Sequence, residues 1–235
     1  MEWYDWRNVR ESLVIFGRAI QGVSPYTVVI EPDEAKCETG YCNFTRRRIA
    51  ANPKLFPDRT SREQYSLTRA LLVHEAGHRR FTTPGKTSGV IHLVSNLLED
   101  ERIERLMGDA FAGLRHLLVL LAQAMYTDAE LLDPATDSPG QVLAAILQAR
   151  WAERVGQPLK GDLSRRNRDL WERVVPMARE AWTAPDTATV DAIANRIVQM
   201  LGLKEKDVPQ WILELQDRLG GLEGQRRADD AAETG

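Results

Sequence analysis

An α+β fold, mostly helical, follows from three features of the chain. Apolar residues recur at helical spacing near the N-terminus and again almost continuously from residue 60 onward. Between those stretches lie two short runs rich in β-branched and aromatic residues, 27–31 and 41–50, the second framed by Gly40 and Pro53. Pro and Gly then cut the helical part into segments of ordinary length. The expectation is a small β-sheet with one long helix beside it, followed by a helical C-terminal region.

Each element has its own warrant. Residues 3–20 place Trp3, Trp6, Val9, Leu13, Ile15, Phe16 and Ile20 on an amphipathic helix that Gly22 and Pro25 end. Thr39 and Gly40 predict a turn between the strands. Thr60-Ser61-Arg62-Glu63 is a capping box, in which hydroxyl and carboxylate each satisfy a backbone N–H left over by the first helical turn. The helix it opens runs to about Arg80, where Thr83, Pro84 and Gly85 break the pattern. An acid-rich helix follows over about 87–108. Further helices are expected at about 112–126, 139–155, 164–182, 187–201 and 207–219. Trp151, Trp171 and Trp182 fall in these patterns as packing residues. His116 reads as a buried, hydrogen-bonded histidine rather than a ligand. The chain thus divides into a core of residues 1–110, a helical subdomain of 111–220 packed on it, and a charged tail of 221–235. That tail holds too little apolar bulk to fold.

Composition excludes several classes. A 43% hydrophobic fraction supports a sizeable core, and a net charge of −3 offers no basic footprint for nucleic acid. Arg46, Arg47 and Arg48 read as the solvated face of a strand. The longest apolar run, 117–122, is far short of the roughly 20 residues needed to cross a bilayer. The acidic, aromatic start lacks the apolar segment of a signal peptide. A cytoplasmic protein without nucleic-acid or membrane partners is expected. Cys37 and Cys42 are the only cysteines; lacking a second pair at matching spacing, they read as small buried packing residues.

The chemistry is concentrated in His74-Glu75-Ala76-Gly77-His78, which takes two of the four histidines. Residues four apart on a helix project from one face, so the two imidazoles can share one Zn²⁺ at about 2.0–2.1 Å each. Glu75 lies beside them, free to take a proton from a metal-activated water. Leu71, Leu72, Val73 and Phe81 mark this helix as largely buried, where unmatched ionisable groups would be costly. Catalytic zinc takes a third protein ligand, and the acid-rich helix supplies candidates. Glu99 shares a stripe with His92, Asn96, Ile103 and Leu106; Asp100 and Glu104 share the neighbouring one with Leu93, Leu97 and Met107. Glu99 is the first choice, for its reach and its polar neighbours, and Asp100 the alternative. Glu104 and Asn96 are then expected to support the ligands from behind. Tyr41, Tyr65, Arg79 and Arg80 are the candidates for stabilising an oxyanion.

The motif, followed by Asn96-Leu97-Leu98-Glu99-Asp100-Glu101-Arg102-Ile103-Glu104, resembles the zincin-like metallopeptidases of the gluzincin type. More narrowly it is similar to bacterial and phage metallopeptidase-like domains found ahead of von Willebrand factor A modules. Residues 41–53 also resemble the strand-then-Asn-Pro element of many zincins, so the likeness covers about residues 25–110. It implies a zincin-like sheet with an active-site helix, a Zn²⁺ cofactor and a peptide or protein substrate. It also implies a von Willebrand A-type or ATPase partner protein. Gluzincin spacing favours Glu99, 21 residues after His78, as the third ligand. The competing expectation is a zincin-fold scaffold or regulatory module that cleaves nothing and acts through protein partners.

Overall fold

Three short strands and seven α-helices make up the described chain, which in this computed structural model covers residues 6–33, 37, 40–54, 58–84, 87–210 and 212–213. The strands are β1 (Thr27–Ile30), β2 (Gly40–Asn43) and β3 (Arg48–Ala51). The helices are α1 (Trp6–Ile20), α2 (Ser61–Phe81), α3 (Gly89–Ala110), α4 (Arg115–Asp128), α5 (Gly140–Val155), α6 (Arg165–Trp182) and α7 (Thr187–Leu201). Mostly helical α+β is therefore the observed class. The charged tail from residue 221 and the end of the helix expected at 207–219 lie outside the described residues.

The sheet departs from expectation in its wiring. Residues 41–50 do not form one strand. They form β2 and β3, antiparallel and joined by a tight turn, with Cys42 opposite Ile49. The turn contains neither Gly nor Pro. Instead the Asn43 side chain accepts the Arg46 N–H at 2.7 Å, and Arg47 adopts a left-handed φ of 50°. Arg46 and Arg47 are thus turn residues rather than the face of a strand. β3 sits in the middle of the order β1-β3-β2 and pairs with β1 in parallel, so β1 and β2 are the two edges.

Contacts group the chain into two compact units that alternate along the sequence. The first draws on the chain up to Arg80 and on Leu106–Leu121. Its interior is built by Leu13 and Ile20 of α1, Val28, Ile30 and Ile49 of the sheet, and Leu67, Leu71 and Leu72 of α2. Gly17 lets α1 lie close on β1: a Cβ there would meet Val28 at 3.0 Å. Ile15, expected on the buried stripe, is 68% exposed.

The second unit draws on Phe81–Arg105 and Ala122–Glu214. It centres on α5, whose Val142, Leu143, Ile146, Leu147 and Trp151 are buried, together with Val174, Trp182, Val190, Ile193 and Ile197. Asp186 caps α7 by accepting the Thr189 N–H at 2.8 Å, and Gly156 ends α5 at a φ of 68°. Trp171 is only half-buried. His116 is exposed, because it opens α4 on that helix's outer side. Both cysteines are buried and unbridged, Cys37 packing with Tyr41 and Ala50. No described helix is long and apolar enough to cross a membrane.

Candidate metal centre

The capping box sets the phase of α2. The Thr60 N–H donates to Glu63 Oε2 at 2.9 Å and the Glu63 N–H to Thr60 Oγ1 at 3.4 Å. From that start, helical geometry carries Leu67, Ala70, Leu71, His74 and Glu75 to the buried side and leaves His78 half-buried. The imidazole rings of His74 and His78 are 4.9 Å apart between centroids, with planes at 83°. Glu75 faces β2, where a Cβ on Gly40 would come within 3.1 Å of Glu75 Oε1. A glycine at this point gives the carboxylate its space. Cys42 lies on the same strand; burial and then the charge of Glu75 push its thiol up, against Arg79, so it stays a neutral thiol.

The acid-rich run of α3 is matched arginine by arginine. Glu99 is gripped by Arg102, whose Nε and Nη2 donate at 2.7 and 2.6 Å, and it also accepts from the hydroxyls of Thr82 and Thr187 at 2.7 and 3.0 Å. Asp100 accepts from Arg150 Nη1 at 2.9 Å. Glu101 accepts from Arg105 at 2.8 Å and from Arg154 at 2.5 Å. Glu104 accepts from Arg150 Nη2 at 3.1 Å and from Arg154 Nη1. All four carboxylates are buried, as are Arg102 and Arg150. Burial alone would lower the Arg150 guanidinium; Glu104, Asp100 and Glu101 together outweigh it and raise it. Burial likewise pushes the Glu101 carboxyl up, with Arg154 the chief opposing charge.

His74, His78 and Asp100 each offer one ligand atom, and these atoms all lie within 4.8 Å of one another. The group can hold a metal ion. Two imidazoles and one carboxylate form a donor set that suits zinc. Family models, curated proteins and solved structures yield no match to the chain.

Of the two carboxylates considered for the third position, Asp100 joins the imidazoles, whereas both oxygens of Glu99 are engaged by Arg102 and the two threonines. Glu104 is braced by Arg150 and Arg154. Asn96 hydrogen-bonds His92 Nε2 at 3.1 Å, and Thr87 meets the other nitrogen of that ring at 3.1 Å. The oxyanion candidates have structural contacts. The Tyr65 hydroxyl pairs with Ser12 at 3.1 Å, Arg79 stacks on Tyr26, Arg80 stacks on Phe111, and Tyr41 is buried with Cys37.

Arg150 and Arg154 are absent from the sequence expectations. A signal for them exists: two arginines four apart at the end of the largely apolar stretch that starts at 142 imply carboxylate partners. The choice between Glu99 and Asp100 also had a marker. Leu93, Leu97 and Met107, on the Asp100 stripe, are all buried, while on the Glu99 stripe Ile103 is buried but His92, Asn96 and Leu106 are only partly so. The more apolar stripe is the inward one.

Proposed function

We propose that this chain is a zinc-dependent metallopeptidase in which His74, His78 and Asp100 hold the ion and Glu75 handles the proton. The observation that carries the reading is the meeting of two imidazoles, one helical turn apart, with a carboxylate inside 4.8 Å. The acid that follows His74 directly is the second part of the same pattern. When bound, zinc polarises water and the scissile carbonyl and draws the pKa of that water toward about 7. His74 and His78 serve as ligands. Glu75, buried against Gly40, accepts the proton from the attacking water and returns it to the leaving amine. A zincin-like identity for the sheet and α2, a peptide or protein substrate, a cytoplasmic setting and a von Willebrand A-type or ATPase partner belong to the same proposal. The test is metal analysis of the purified protein followed by digestion of a peptide library by the zinc-loaded form. A Glu75→Gln protein cleaving at the parental rate overturns it.

A second reading, a scaffold that binds metal without cleaving, draws on one observation. His74, Glu75 and Asp100 are only 2%, 2% and 5% exposed. Structural zinc sites are closed, whereas catalytic ones keep a position open to solvent and substrate. Stoichiometric zinc with no cleavage of any library member selects this reading.

A further inference from the structure

We infer that Arg150 is a positioning residue of the metal centre: braced by Glu104, it fixes the rotation of the Asp100 carboxylate and so makes α5 a working part of the site. The inference rests on the His74–His78–Asp100 assignment above and goes beyond it.

The geometry is that of a fork. Arg150 is 3% exposed in a helix whose other inward residues are apolar except for Gln148. Nη1 donates to Asp100 Oδ2 at 2.9 Å and Nη2 to Glu104 Oε1 at 3.1 Å, while Nε lies 3.9 Å from Glu101 Oε2. One rigid, planar group therefore spans two carboxylates a helical turn apart on α3, and fixing one end fixes the other. Glu104 is itself held by Arg154. A lysine could supply the charge but not the two fixed directions.

The other buried arginine, Arg102 on α3, shows what a purely structural pair looks like. Arg102 directs Nε and Nη2 at the single carboxylate of Glu99, Nη2 donating also to the Phe81 carbonyl, and the remaining capacity of Glu99 goes to Thr82 and Thr187. That arrangement joins α3 to the α2–α3 connection and to α7. Arg150 instead engages one named oxygen of the residue that meets the imidazoles. An aspartate has only two side-chain torsions, so one directed hydrogen bond settles where its carboxylate points. Contacts that orient ligands in this way commonly change metal affinity by about 10–100-fold when removed.

The test is zinc affinity by competition with a chromophoric chelator, with the visible spectrum of the Co²⁺-loaded protein as a report on ligand geometry. Thermal melting without metal serves as the folding control. Arg150→Lys keeps the charge; Glu104→Gln, the milder variant, removes the brace and keeps the shape. Expected is zinc binding weakened by about 10–100-fold in the first and less in the second, each with an altered cobalt spectrum. Arg102→Lys is the matched control, expected to lower the melting temperature and leave zinc affinity unchanged. Parental zinc affinity in both Arg150→Lys and Glu104→Gln overturns the inference, as does an equal loss in Arg102→Lys. Asp100→Asn separates the two levels. If that variant binds zinc as the parent does, the ligand assignment itself falls; if it weakens binding while the Arg150 and Glu104 variants do not, only the positioning role falls.

Discussion

Helices α2 and α3 both bury ionisable side chains, and they do so by opposite means. On α2 the pair His74 and Glu75 lies among Leu71, Leu72, Val73 and Ala76, beside a strand that presents a glycine and a neutral thiol. On α3 four acids in six positions are each matched by at least one guanidinium. The carboxylates of α3 are buried beside guanidinium groups, whereas the α2 motif is set among apolar side chains. One helix therefore offers the two imidazoles of the candidate site and the other a lattice of paired carboxylates. Asp100 is the member of that lattice that also meets the imidazoles.

Breaking each helix should give different losses. The largest effect is expected from Glu75→Gln: peptide turnover falls by about 10²–10⁴-fold, the range for a positioned proton acceptor, while bound zinc stays near one per chain. Rate assays paired with metal analysis check both halves. Arg102→Met should be next. It leaves Glu99 buried without its cation at a cost of about 3–5 kcal/mol, read by urea unfolding of the metal-free protein.

Smaller changes sharpen the contrast. Gly40→Ala places a Cβ 2.9 Å from Leu71 Cγ and 3.1 Å from Glu75 Oε1. Overpacking of that kind costs about 1–3 kcal/mol, and turnover should fall more than zinc affinity because the crowded group is the proposed base. The smallest effect is expected from Thr60→Ala, at about 1 kcal/mol for a lost cap. Its pH dependence has a definite sign. Hydrogen bonds from Thr60 hold the Glu63 carboxyl below its ordinary range, so their contribution is present above that range and is lost as pH falls through it. The gap in melting temperature between parent and variant should narrow on acidification; a gap that widens contradicts the capping role.

Local rules made much of the fold legible. The capping box, the break after Phe81 and the helices from α5 to α7 follow from side chains acting on their own backbone. The β2–β3 turn was hidden because an Asn side chain, not Gly or Pro, closes it. The third corner of the candidate site was hidden for a different reason. Choosing between Glu99 and Asp100 requires knowing that Arg102 grips one and Arg150 reaches the other, and the second partner lies 50 residues away in sequence. Spacing along one helix carries no such information.

That separation bears on how the protein matures. A nascent chain that stops short of α5 already contains both imidazoles and Asp100, yet lacks the guanidinium that aims the carboxylate. Closing a loop of this length is an entropic step that the early helices cannot take alone. On the proposed ligand set, ion uptake would follow the docking of α5, and shortened chains should emerge from synthesis metal-poor although His74, His78 and Asp100 are all present.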